Sequence, residues 1–198
     1  AVILGSDVRH IGSVLRMKPG EKLMVNAGGD WEYLCEIVNI ERDSVSLRVL
    51  EGRQETRELP VSITLYQGLP KAEKMELIVQ KAVELGAAAI VPVEMHRSVV
   101  RLDEKKAAAK QKRWQAIAEA AAKQAGRSVI PEVSLPLSFK EALRRVEAEG
   151  TERRLLPYER AAGMAATRDL IRSVKAGQRV AVMIGPEGGF EETEVEAA

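Results

Sequence analysis

Near residue 61 the hydrophobic period of this chain changes, and that change restricts the folds open to it more than any other feature. Before it, apolar residues alternate over short runs, so Lys22 to Ala27, Trp31 to Ile40 and Ser44 to Leu50 read as strands. After it, strand-like and helix-like segments take turns. Val61 to Gln67 reads as a strand, and Met75, Ile78, Val79, Ala82 and Leu85 then recur at helical spacing, with Gly86 placed as the glycine that ends the helix. Ala87 to Val93 is a continuous apolar run, the pattern of a parallel strand covered on both faces. A long helix over Asp103 to Ala125 is expected to turn Trp114, Ile117, Ala118, Ala121 and Ala125 inward. Further strands are expected at Val129 to Val133, Arg154 to Tyr158 and Arg179 to Ile184. Such alternation predicts an α/β unit with a mainly parallel sheet, preceded by a small antiparallel barrel or sandwich. The junction is expected within Gly52 to Pro60, which is charged and ends in proline.

Within the first part, Asp7 to Met17 reads as one short helix capped by Ser6, with Val8, Ile11 and Leu15 inward and Arg9, Ser13 and Arg16 aligned outward. Gly28-Gly29-Asp30 is expected to turn the chain between strands. Alternation puts Trp31, Tyr33, Cys35 and Ile37 on one strand face, so Cys35 is read as a buried core thiol rather than a nucleophile.

Composition then excludes several classes of function. The longest apolar run is far below the ~20 residues of a membrane helix. One cysteine permits no internal disulfide and fits a reducing, cytoplasmic compartment; with only His10 and His96 beside it, no metal site is expected. Aromatics at 4% argue against binding through rows of stacked bases. Net charge is near zero, yet Arg97 to Arg127 carries nine Lys/Arg against three acids. Such a run suits either a phosphate backbone or a solvated helix face.

The most informative stretch is the apolar strand ending at Ile184 and running into Gly185-Pro186-Glu187-Gly188-Gly189. In open α/β sheets, ligands bind where loops leave the carboxyl ends of strands. Glycines there remove the Cβ atoms that would hold a ligand away from the backbone, and Pro186 stiffens the loop. The loop lacks the Lys-Ser/Thr pair of a phosphate-gripping loop, and Glu187 would repel phosphate. A ligand with an adenine edge and no phosphate, such as S-adenosylmethionine, fits better; a tight structural turn would use the same glycines. Leu156-Pro157-Tyr158-Glu159 closes the preceding strand in a comparable way, so two strand ends could share one ligand.

Six motifs in order resemble the bacterial family that methylates N3 of a uridine in 16S ribosomal RNA. They are His10-Ile11-x-x-Val14-Leu15-Arg16 with Pro19-Gly20, Lys71-x-x-Lys74-Met75-Glu76, Gln80-Lys81-x-x-Glu84-Leu85-Gly86, Arg97-Ser98-Val99, Gln124-x-x-Arg127 and Gly185 to Gly189. The resemblance implies an N-terminal PUA-like RNA-binding β-barrel over residues 1–58 and, over 59–198, a methyltransferase domain of the SPOUT α/β-knot class with a deep trefoil knot. It further implies a cytoplasmic homodimer without metal, acting on the small ribosomal subunit. Leu156, Pro157, Tyr158, Glu159, Ile184, Gly185, Pro186, Glu187, Gly188 and Gly189 would then hold S-adenosylmethionine. His10, Arg16, Lys71, Lys74, Arg97, Gln124 and Arg127 would face RNA, although Arg16 and Lys74 also read as surface charges and Gln124 as a helix cap. Neither source identifies a general base. The family's closing Arg-Ile-Leu-Arg and Glu-Thr-Ala stretches have no counterpart before Ala198, so the sequence is expected to lack an N-terminal strand and a C-terminal segment. A knotted methyltransferase for another nucleotide, or a non-catalytic RNA-binding or ribosome-assembly protein, would share parts of this pattern.

Overall fold

The strand-forming runs of the first third pair with one another in an antiparallel sheet. The structure is a computed structural model that describes residues 1–26, 31–54, 57–160 and 165–198, and it divides into two units, Ala1–Arg57 and Glu58–Ala198. In the first unit β1 (Val2–Leu4) and a short helix α1 (Ser6–Arg9) precede β2 (Lys22–Asn26), β3 (Trp31–Ile40) and β4 (Ser44–Gln54). The sheet order is β1-β4-β3-β2, all antiparallel. The expected small antiparallel barrel takes the form of a curled half-barrel sheet, of which β1 and β2 are the edges among the described residues. One face and α1 bury Val8, Ile11, Cys35, Ile37, Val45 and Leu47. Burial pushes the Cys35 thiol pKa upward, as a core thiol requires. The turn expected at Gly28-Gly29-Asp30 lies outside the described residues.

Two local readings of this unit are amended. Strand β3 keeps Tyr33, Cys35 and Ile37 against the core as expected, and the bulge between Ile37 and Asn39 then shifts its phase so that Ile40 joins them. Trp31 stacks on Tyr33 at the exposed end of that face, while Glu32 is buried, its carboxylate held by Arg53 Nη2 and Arg57 Nε, each at 2.9 Å. Asp7 to Met17 is not one helix. After α1 the chain opens into a π-helical turn over His10–Val14, with Leu15 N–H donating to His10 C=O at 2.9 Å. The wider turn keeps Ile11 inside but rotates Leu15 outward, and Gly5 rather than Ser6 stands before the helix. Arg16 follows with φ of 54°, so Arg9, Ser13 and Arg16 share no helical face.

The second unit alternates as its period demands: β5 (Ser62–Gly68), α2 (Lys74–Glu84), β6 (Ala89–Glu94), α3 (Glu104–Gln124), β7 (Glu132–Val133), β8 (Leu137–Ser138), α4 (Phe139–Ala148), β9 (Arg153–Leu155), α5 (Ala165–Arg172), β10 (Arg179–Ile184) and α6 (Glu192–Ala197). The sheet is parallel throughout, in order β7-β6-β5-β10-β9, with β8 also beside β6. Helices α2 and α3 cover one core, around Val79, Ile90, Trp114 and Ala118; α4 covers another, around Tyr66, Val91, Met183 and Phe190. Gly86 ends α2 at φ of 98°, with Gly86 N–H on Val83 C=O and Ala87 N–H on Ala82 C=O. Val83, not Leu85, completes the buried stripe of α2, since Leu85 stands beyond the last helical turn and is exposed. The strands read at Val129 to Val133 and Arg154 to Tyr158 shrink to β7 and β9.

Candidate functional site

Because β5, β6, β9 and β10 are parallel, their carboxyl ends lie along one edge of the sheet. The loops that leave them meet there. Strand β9 pairs directly with β10, Leu155 opposite Val182, so Leu156 to Glu159 and Gly185 to Gly189 emerge side by side. Gly189 closes the second loop with its N–H on Pro186 C=O at 2.9 Å, at φ of 69°, which a side chain rarely adopts. A Cβ on Gly189 would stand 3.6 Å from both carboxylate oxygens of Glu159, and one on Gly185 would approach Gly189 carbonyl carbon to 3.1 Å. Leu156 and Tyr158 pack against the apolar cluster that contains Met183 and Phe190. The result is bare backbone beside one carboxylate over an apolar floor.

Ion pairs fix this loop to its neighbours. The Glu187 carboxylate accepts from Lys71 N–H at 3.1 and 3.2 Å and from Lys74 Nζ at 2.9 Å. The Lys74 ammonium, with the backbone donors, holds its pKa down to about 2. On the other side, Arg97 Nε donates to Glu191 Oε2 at 2.8 Å and Nη1 to Gly188 C=O at 2.9 Å. Glu191, aided by Glu159 and Tyr158, raises the Arg97 pKa, and Arg97 lowers that of Glu191. Lys74 and Arg97, assigned from sequence to RNA, are thus engaged as braces of the glycine loop. Lys71 lends the loop only its backbone, and no partner of its ammonium is found among the described residues.

Three contributors escaped the sequence reading. Gly68 ends β5 where a Cβ would lie 2.7 Å from Pro186 N and Cδ and 2.8 Å from Met95 Sδ, so only glycine lets these loops touch. Its position at a strand end, two residues before Pro70, was the available signal. Buried Gln67 donates Nε2 to Gly68 C=O at 3.0 Å. Buried Glu194, in the first turn of α6, accepts from His96 N–H at 2.8 Å and from Glu191 N–H at 3.0 Å, tying the β6 and β10 loops together. Glu191-x-x-Glu194 is a capping-box spacing, legible in retrospect.

Gln124 and Arg127, the remaining candidates of the second unit, are not gathered at this edge. His10 and Arg16 are exposed in the first unit. Gln124 is exposed at the end of α3, whose 21 residues carry it about 32 Å from the helix start at the site. Arg127 is corrected: its side chain is only 6% exposed, paired with Glu58 and donating through Nη1 to the carbonyls of Val83 and Ala87. It braces the opposite end of the sheet and offers RNA no exposed guanidinium. Burial alone would raise the Glu58 pKa, but Arg127 and the amides of Ser128 and Val129 outweigh it and lower it.

Comparison with known proteins agrees with this division. Residues 3–50 match the family model of an RNA methyltransferase PUA domain, and residues 57–198 that of an RNA methyltransferase domain. Ribosomal RNA small subunit methyltransferase E of Bacillus subtilis is 38% identical over 98% of this chain and 76% of its own length; its Mycobacterium tuberculosis counterpart is 32% identical over 100% and 74%. A methyltransferase structure from Legionella pneumophila, with bound S-adenosylmethionine, superposes with a TM-score of 0.81 at 31% identity, covering 99% of this chain and 78% of that one. The Neisseria gonorrhoeae ribosomal RNA small subunit methyltransferase E, also bound to S-adenosylmethionine, gives 0.78 at 30%, with the same coverage.

Proposed function

This chain belongs to the RNA methyltransferase family that includes ribosomal RNA small subunit methyltransferase E, and from that premise we propose that it methylates N3 of a uridine in 16S ribosomal RNA with S-adenosylmethionine as donor. The supporting observation is the meeting of two strand ends at Gly185 to Gly189, where backbone without Cβ atoms faces the Glu159 carboxylate. That chemistry suits an adenosine: backbone amides and carbonyls for the base edge, a carboxylate for hydroxyls, and apolar packing from Leu156 and Tyr158, with Lys74 and Arg97 engaged by Glu187 and Glu191.

When bound, the donor supplies a methyl group already activated on a sulfonium sulfur. The protein's part is to hold that carbon in line with the nucleophile, and orientation of this kind is worth several kcal/mol of barrier. Lys74 and Arg97 fix the loop from two sides through Glu187, Glu191 and the Gly188 carbonyl, which keeps the cradle preorganised. Uracil N3 lies on the pairing edge, so the base must be unpaired or flipped before it reaches the site. Its proton must leave before or during transfer. In this reading the second unit is a SPOUT knot domain, residues 1–58 form the PUA-like RNA-binding domain, and the enzyme works as a cytoplasmic homodimer. Leu156 to Glu159 and Ile184 to Gly189 hold the donor; His10, Arg16, Lys71 and Gln124 remain candidates for RNA.

The test is transfer of labelled methyl from S-adenosylmethionine to small ribosomal subunits that lack the modification, with the product nucleoside identified by mass spectrometry. N3-methyluridine in 16S RNA is expected. A different methylated nucleoside would assign the same loop to another nucleotide, and no transfer with no donor binding would leave an RNA-binding or assembly role.

A further inference from the structure

The cations of the basic run from Arg97 to Arg127 differ in the structure in how their charge is met. Arg97 is bound to Glu191, Lys106 to Asp103, Arg113 to Glu76 and Arg127 to Glu58, and Arg101 donates to the carbonyls of Met95 and His96. Their charges are met within the protein. Lys105 and Lys112 are exposed on α3, and no carboxylate partner is found for either among the described residues. Lys123 lies on the same line. Steps of seven and eleven residues bring the three within about 20° of one another around the helix and spread them over about 27 Å.

That line lies opposite Trp114, the buried anchor of α3. Between and beside the lysines stand Ala109, Ala116 and Ala120, which let a strand approach the helix closely, and Glu119 is the one acid on this side. The line also has a direction. Helix α3 starts at the sheet edge that carries the glycine loop: the β6 loop that leads into it holds Arg97 against Gly188, and Leu102 N–H donates to Glu94 Oε1 at the end of β6. Near the same edge, Arg113 reaches Glu76 in the first turn of α2, the turn whose Lys74 holds Glu187.

We propose that the outward lysine line of α3, Lys105 and Lys112 with Lys123 in register, is a track for the phosphate backbone of the substrate RNA leading away from the glycine loop. The inference rests on the RNA methyltransferase reading. A polyanion with charges at regular intervals matches a line of exposed lysines, of which Lys105 and Lys112 have no carboxylate partner among the described residues, whereas an acidic protein would need its carboxylates spaced to match.

The experiment measures binding of the full-length protein to unmodified small ribosomal subunits across a salt series, for wild type, K105Q/K112Q and the control K175Q. Removing two phosphate contacts is expected to make the slope of log affinity against log salt shallower by about 1.5 and to raise KM for the subunit with kcat retained. K175Q should match wild type, and all three should bind S-adenosylmethionine equally and melt alike. An unchanged slope in K105Q/K112Q, with wild type binding normally, overturns the track and leaves the enzyme reading intact. Absence of subunit binding by wild type overturns both. Loss of binding to an acidic assembly protein, with RNA binding unaffected, also overturns the track.

Discussion

Glycine and charge do different work at the turns of the first unit and at the loop-bearing sheet edge of the second. In the first, Gly5 and Gly20 take positive φ with nothing within 4 Å of a Cβ, so they serve the backbone turn alone. In the second, a Cβ on Gly68 would press on Pro186 and Met95, one on Gly188 on Arg97, and one on Gly185 on Gly189 within its own loop. Buried charge differs likewise: Glu32 is held beneath the sheet of the first unit, whereas Glu187 and Glu191 tie loops at a rim. Glycine that merely turns a chain tolerates change around it, but glycine that admits a neighbour commits several elements at once. A site of close backbone approach is therefore expected in the second unit.

The sharpest way to break this contrast is to add one methyl to each kind of glycine. Gly68→Ala should drive Cβ into Pro186 and Met95, cost about 3 kcal/mol by overpacking, and weaken S-adenosylmethionine binding at least about 100-fold by calorimetry. Gly5→Ala should cost only about 1 kcal/mol, from its φ of 77°, and leave donor binding unchanged. Equal effects would erase the distinction. Next in size is Arg127→Ala, which strands the Glu58 carboxylate in a mostly buried position. A loss of about 3 kcal/mol in thermal or denaturant unfolding is expected, with no change in the salt dependence of RNA binding.

The same contrast explains what the sequence could convey. Parallel strands and their helices were legible because burial on both faces writes long apolar runs, as at Ala87 to Val93, and because Gly86 stops α2 where it should. The glycine loop was legible because its five residues and the strand before them are contiguous. Gly68, Gln67 and Glu194 were not, since their importance comes from loops that meet only after the sheet forms. In the first unit, alternation placed Tyr33, Cys35 and Ile37 on the buried face but could not show that Arg53 and Arg57 would bury Glu32 on the other. The π-helical turn hid Leu15 because it widens the helical period. Arg127 shows that charge alone cannot separate a brace from a ligand contact, since the difference lies in the position of Glu58.

Titration sharpens the comparison further. Burial, and then the Glu149 carboxylate, push the Tyr66 phenol up to about 12 in the second unit. Because the folded pKa is raised above about 10, the stability it contributes is full below pH 10 and is lost as pH rises toward 12. Ultraviolet titration should show one tyrosine ionising near pH 12, and loss of that high-pH step would contradict the burial. The smallest effect is expected from Glu187→Gln. With a folded pKa near 2, the wild-type carboxylate keeps its loop contacts down to that pH; the stabilisation is present above about 4.5 and disappears as pH falls through 2. The amide should weaken donor binding a few-fold near neutral pH, and the gap between the two proteins should close in strong acid.

The most direct measurement is the amide chemical-shift response of the full-length protein to S-adenosylmethionine. The account predicts that the largest shifts fall on Gly185, Gly188 and Gly189 and on Leu156, Tyr158 and Glu159, with the β2 and β3 amides unmoved. Saturable shifts confined to the first unit, or none at the glycine loop while the donor binds, would contradict it.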